Sequence, residues 1–172
     1  LTEGDISVKL AESMLKLING AKAVIPEGSR FNLNVTDGAA GWKVIDAEIE
    51  QGAELSVNGE LRIPSRDNGN KLTVNGILKV SENGKLSVGE KSEITVGASG
   101  ELSLPAMSKE EMAGASGSDS GIKGYIYIDG GADVSYAGQK ITGDTDAYLV
   151  MTDGSRAVLD LTGANNGDNS VI

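Results

Sequence analysis

Two segments of this 172-residue chain carry the spacing of a serine–lysine acyl-transfer pair, Ser13-Met14-Leu15-Lys16 and Ser120-Gly121-Ile122-Lys123. In such a pair the lysine amine takes the serine proton as the hydroxyl attacks a carbonyl. A pattern of two fixed residues recurs readily by chance, and the companion motifs S-D-N and K-T-G are missing. Asp119-Ser120-Gly121 resembles the nucleophile segment of serine proteases, but the chain has no histidine to act as its base. Cysteine is absent as well, which removes thiol nucleophiles, thiolate zinc sites and disulfides. Carboxylates are the chemistry that remains. Asp46, Glu48 and Glu50 alternate along one strand face, and Asp129/Asp133 and Asp144/Asp146 lie near glycine-containing turns. Paired carboxylates can hydrolyse glycosides, and oxygen-rich turns can hold calcium. Neither the EF-hand pattern nor the G-G-x-G-x-D repeat is present. A polysaccharide lyase would need guanidinium groups gathered over its carboxylates, and Arg30, Arg62, Arg66 and Arg156 are scattered along the sequence. The expectation is a solvated acidic surface on a non-enzymatic chain, with no cofactor and no metal.

Aromatic residues make up only 3% of the chain. The candidate ligand contacts among them are Trp42, Tyr125 and Tyr127, with the two tyrosines on one face of one strand. A net charge of −10 argues against nucleic acid and anionic membranes as partners. No apolar run is long enough to insert in a membrane as a helix. The chain opens on Leu1 rather than Met, as expected of a mature or trimmed form.

The elements that would position these residues are announced by a repeat. A four-residue phrase ending apolar–polar–apolar, opened by a polar residue in all copies but the one at Ile77, recurs at Glu54–Val57, Glu60–Ile63, Lys71–Val74, Ile77–Val80, Lys85–Val88, Glu93–Val96 and Glu101–Leu104. Alternation at period two is the mark of a half-buried strand. Asn58-Gly59, Asn75-Gly76 and Asn83-Gly84 punctuate the strands. Asn-Gly is ordinarily a hairpin signal. Here, a two-residue loop would pair Thr73 with Leu78 and Leu72 with Lys79, which sets apolar residues against opposite faces. A corner between successive strands of a parallel coil has no such conflict. The sequence therefore predicts an all-β, single-stranded parallel β-solenoid, with an antiparallel β-sandwich as the alternative. Leu55 and Leu72, and Leu61 and Leu78, are 17 residues apart, and Leu86 and Leu102 are 16 apart. That spacing suggests a turn of roughly 16–24 residues.

One domain over residues 1–172 is expected, with coils regular over 21–104, an inserted loop at 105–123 and irregular coils over 124–172. Ile6, Leu10, Met14, Leu17 and Ile18 share one helical face, so residues 1–20 read as a capping helix stopped by Asn19-Gly20. Ser108-Lys109-Glu110-Glu111 reads as a capping box.

The phrase Gly-x-Leu-x-Val-Asn-Gly-x-Leu-x-Val resembles one found in exported bacterial surface proteins with β-helical repeats, adhesin-like and Gram-positive in type. Leu10 to Phe31, ending in Val-Ile-Pro-x-Gly and a strand, is similar to the way those repeats begin. The resemblance covers about Leu10 to Leu104 and brings no functional residues with it. It implies an extracellular or cell-surface structural or adhesin-like module, with a glycan or a cell-surface protein as partner. A carbohydrate-binding or polysaccharide-processing module is the alternative, to be recognised by carboxylates and Tyr/Trp converging in one groove.

Overall fold

The computed structural model describes residues 5–8, 15–18, 20–33, 46–65, 70–108, 110–111, 114–115, 120–140, 147–152, 156–160 and 169–171. The chain forms a parallel β-solenoid of three sheets. Its first coil runs through β1 (Asp5–Val8), β2 (Leu15–Leu17) and β3 (Lys22–Ile25). The second is β4 (Arg30–Leu33), β5 (Asp46–Ile49) and β6 (Glu54–Val57), and the third β7 (Glu60–Ile63), β8 (Lys71–Val74) and β9 (Ile77–Val80). The fourth is β10 (Lys85–Val88), β11 (Glu93–Val96) and β12 (Glu101–Leu104). A fifth begins at a single parallel bridge, Ile122 to Val88, and continues through β13 (Tyr125–Ile128) and β14 (Asp133–Tyr136). Stacked strands make sheet A (β1-β4-β7-β10), sheet B (β2-β5-β8-β11-β13) and sheet C (β3-β6-β9-β12-β14). Each pairing between coils is parallel, so the antiparallel sandwich is not the fold.

From β5 to β13 the apolar pair of each strand points inward and stacks on its counterpart one coil away. Leu61 and Ile63 lie over Leu86 and Val88, and Leu72 and Val74 over Ile94 and Val96, all buried. A fully buried Leu, Ile or Val stabilises by about 1.5–3 kcal/mol. A four-residue strand has little stability of its own, so each coil depends on its neighbours. The stacking partners differ from those the spacing suggested. Leu55 sits on Leu78 rather than Leu72, Leu61 on Leu86 rather than Leu78, and Leu102 on Leu78 rather than Leu86. The strand-and-corner unit is one side of a three-sided coil, so residues two units apart face different sheets.

At the tight corners, both amides of Asn75-Gly76 donate to the Ile49 carbonyl at 2.8 and 2.9 Å, and both amides of Asn58-Gly59 donate to the Ile25 carbonyl. Asn-Gly here seats a corner on the coil beneath instead of reversing the chain. Wider corners close by an amide three residues on, as Ala53 does to Glu50 at 2.9 Å. Corners from sheet B to sheet C stay short: 18–21, 50–53, 75–76, 97–100 and 129–132. The long segments (9–14, 34–45, 64–70 and 105–121) all lie at corners flanking sheet A.

The expected capping helix over 1–20 is replaced by β1 and β2, with residues 9–14 outside those described. Ile18, assigned to the apolar helix face, is 62% exposed. Gly20 forms a corner with φ +81°, its amide on the Gly52 carbonyl, rather than a helix stop. Apolar residues in segments this short satisfy either period, and pairing to the next coil decides between them. After β14 the regular coils give way to antiparallel strands. Sheet C is closed by β15 (Gln139–Lys140), and sheet B continues through β16 (Ala147–Thr152), β17 (Arg156–Asp160) and β18 (Asn169–Val171). These replace the irregular coils expected there. The Ser108 capping box forms as read: Glu111 Oε2 accepts from the Ser108 amide at 2.8 Å, and Ser108 Oγ from the Glu111 amide at 3.2 Å.

Candidate functional site

Outward positions form columns along the solenoid, one residue per coil. On sheet B they read Asp46–Lys71–Glu93–Tyr125 and Lys16–Glu48–Thr73–Thr95–Tyr127. Of the carboxylates flagged in the sequence, Glu48 and Glu50 are engaged here, and so is Glu93. Lys16 reaches Glu48 at 2.8 Å and Glu50 at 3.5 Å, Asn75 Nδ2 donates to Glu48 at 3.0 Å, and Lys71 pairs with Glu93 at 3.0 Å. The bonds from Lys16 and Asn75 hold the Glu48 carboxyl below the usual carboxylate range. Asp133 pairs with Lys140 at 3.3 Å, while Asp144 and Asp146 lie outside the described residues. Among the described residues no three acidic side chains gather where they could hold a metal ion.

Both columns of sheet B reach tyrosine in β13, its last parallel strand. The Tyr125 and Tyr127 rings stack with centroids 5.7 Å apart and planes inclined at 18°. They are 43% and 39% exposed. The alternation of Tyr125-Ile126-Tyr127-Ile128 dictates this, since Ile126 and Ile128 fill the core and send the rings outward. Burial and the Glu93 carboxylate push the Tyr127 phenol up, so it stays protonated as a hydrogen-bond donor at neutral pH. Trp42, the third candidate contact, lies outside the described residues.

Sheet A carries a cluster that the sequence did not announce. Glu60 Oε2 accepts from Arg30 Nε at 2.8 Å, and Glu60 Oε1 accepts from Arg62 Nε and, at 3.3 Å, from Ser87 Oγ. Arg30 and Arg62 looked scattered because they are 32 residues apart, yet β4 and β7 are adjacent in sheet A. Only a known coil length would have revealed the pairing. The side chain of Glu60 is 14% exposed. Its burial alone would raise its pKa, but the bonds from Arg62 and Arg30 prevail and hold the carboxyl below its ordinary value. A carboxylate so held is a weak base and a poor proton donor at neutral pH. Described residues between 105 and 121 border this cluster and leave a cleft of about 290 Å³ between Arg62, Ser87, Met107 and Glu111. That segment is tethered where the Met107 amide donates to Tyr136 Oη at 3.0 Å.

No protein family, characterised protein or solved structure matches the chain. Function must therefore be read from the geometry. The tyrosine pair belongs to sheet B and the Arg–Glu cleft to sheet A, so the described aromatics and carboxylates do not converge in one groove. Of the two Ser-x-x-Lys segments, Ser13 lies outside the described residues. In the other, Ser120 Oγ accepts from the Ala115 amide at 2.8 Å and Lys123 Nζ donates to the Ala115 carbonyl at 2.9 Å, so both side chains are bonded to Ala115. No helix among the described residues is long and apolar enough to cross a membrane.

Proposed function

We propose that the chain is a non-enzymatic structural or adhesin-like module of a cell surface, presenting the outer faces of a rigid β-solenoid. The observation that carries this reading is the continuity of the columns. Inward residues repeat coil after coil as a dry aliphatic stack, while outward positions are mostly charged or hydroxylated and cross-linked by Lys16–Glu48, Lys71–Glu93 and Arg30–Glu60. A scaffold of this kind resists bending because each rung is hydrogen-bonded to the next along the whole axis. The chain lacks histidine and cysteine, and Glu48, Glu60 and Glu93 are engaged in ion pairs, which supports display rather than catalysis. Brief protease treatment of intact cells that make the protein tests this reading. Release of its peptides while a cytosolic marker stays intact is expected, and recovery only after lysis would overturn it.

A further inference from the structure

The Asn-Gly corners at 58–59, 75–76 and 83–84 are built differently, and the difference bears on their chemistry. Asparagine followed by glycine is prone to ring closure, because glycine has no side chain to block its amide from the asparagine carboxamide. The amide must first be free of its own hydrogen bond. Space does not separate the three corners: a Cβ on Gly59, Gly76 or Gly84 would stand 2.2, 2.3 or 2.2 Å from a carbonyl oxygen of the coil beneath. The acceptors of their amides do. Gly59 and Gly76 donate to the coil beneath, to Ile25 at 3.0 Å and Ile49 at 2.9 Å, and each shares its acceptor with the preceding asparagine amide. Asn75 is fixed further by its carboxamide, which donates to Glu48 at 3.0 Å. The Gly84 amide instead donates within its own corner, to the Ser81 carbonyl at 2.9 Å. The coil beneath holds that corner at its ends, Ser81 on Val57 and Lys85 on Gly59. Asn83 lies exposed between them, its carboxamide unbonded among the described residues.

We propose that Asn83-Gly84 is a site of self-modification, where the folded protein converts asparagine to isoaspartate and aspartate with time. Freeing Gly59 or Gly76 means lifting a corner off the coil beneath and breaking two amide bonds on one acceptor. Freeing Gly84 means opening a single turn whose two ends stay pinned. Openings of that kind lie at the low end of the range found within one fold, and each hydrogen bond spared is worth about 1 kcal/mol. The reaction needs water alone, so it is independent of where the protein resides. The Gly84 amide gives its proton to solvent and its nitrogen bonds to Asn83 Cγ. The Cγ–Nδ2 bond breaks, and ammonia leaves with a proton taken back from solvent. Water then opens the five-membered imide. Addition at Cγ gives aspartate; addition at the main-chain carbonyl gives isoaspartate. The second product routes the backbone through Cβ and adds one carbon to a corner fixed at both ends. That corner leads into β10, the outermost strand of sheet A, held on its far side by the Ile122 bridge to Val88. The lengthened corner therefore loosens the solenoid where sheet A stops.

The test ages the full 172-residue chain at neutral pH and physiological temperature, folded and in urea, and follows each site by tryptic peptide mapping. Cleavage after lysine and arginine places Asn58, Asn75 and Asn83 in separate peptides, 44–62, 72–79 and 80–85. Dividing each folded rate by the rate of the same site in urea removes the effect of local sequence. That ratio should be about tenfold higher at Asn83 than at Asn75, with Asn58 between them. Isoaspartate, recognised by fragmentation of the 80–85 peptide, should accompany aspartate as the mark of the cyclic route. Asn83→Gln, whose longer side chain would have to close a six-membered ring, should leave that peptide unconverted and the other two ratios unchanged. An equal or lower ratio at Asn83 than at Asn75, or aspartate formed there with no isoaspartate, would overturn the proposal.

Discussion

Replacing Gly76 by alanine adds one methyl group at a corner where two coils lie in close contact. Its Cβ would stand 2.3 Å from the Glu50 carbonyl oxygen, 2.4 Å from that of Ala53 and 3.1 Å from Ile49 Cγ2. The two shortest approaches are to backbone, so no side-chain rotation relieves them. Carbon–oxygen contacts settle at about 3.3 Å or beyond, which means the corner must lift by about 1 Å. Lifting strains the amide bonds from Asn75 and Gly76 to the Ile49 carbonyl. Two weakened hydrogen bonds cost about 1 kcal/mol each, and overpacking adds about 1–3 kcal/mol. The stiffer unfolded chain returns about 0.4–1 kcal/mol. The expected loss is about 2–4 kcal/mol. Gly28 is the control: it has open space around it but sits at φ +76°, so Gly28→Ala pays only a backbone cost of about 1 kcal/mol. Urea unfolding followed by far-UV circular dichroism, with m-values compared, measures both. If Gly28→Ala proves the more damaging of the two, the claim that corner glycines are selected for space is refuted.

Three further outcomes follow from particular contacts. The folded-state pKa of Glu60 is lowered, so its contribution is present above the unfolded value of about 4.3 and is lost as pH falls through the folded one. Glu60→Gln should lower the thermal midpoint at pH 7 and flatten its fall on the acid side; an acid limb identical to that of the parent chain would contradict the Arg30–Glu60–Arg62 account. Lys91 holds φ 62° at the corner position that Gly20, Gly28, Gly52 and Gly131 occupy elsewhere, so Lys91→Gly should raise stability by about 0.5–1 kcal/mol in the same urea assay, where a decrease would count against it. Tyr136→Phe removes the hydroxyl bonded to the Met107 amide; amide exchange at Met107 should accelerate and stability fall by about 1 kcal/mol, and unchanged exchange would show that the tether lies elsewhere.

The parts of this fold legible in the sequence are those fixed within a few residues. Leu72-Thr73-Val74 alternates because one face is dry, and the Tyr125–Tyr127 face follows from the same rule. The mismatch of sides across Asn75-Gly76 was enough to reject a hairpin, because a register error costs every inward side chain at once. What could not be read was the number of sides. Each side uses the same phrase and the corners differ in length, so no fixed period identifies which residues stack. That one missing integer hid the meeting of Arg30, Glu60 and Arg62, and it misassigned the partners of Leu55 and Leu61. The N-terminus misled for a related reason. Ile6 and Leu17 fit a helical face locally, while the strands that claim them, β4 and β5, arrive much later in the chain.

The unequal corners have a consequence for how such a molecule can change. Both strands flanking a long segment are pinned to the coil below by their own ladders, as β4 and β5 are on either side of 34–45. A change of length there falls between two fixed ladders. The corner at 75–76 allows nothing of the kind, since its two amides share one acceptor and its glycine fills the available space. The Asn58-Gly59 corner into sheet A is as tight, so room for novelty is confined to the long segments beside sheet A. Foreign peptides grafted in place of 34–45 would inherit a fixed height and heading, set by the ladders of β4 and β5 that bracket them.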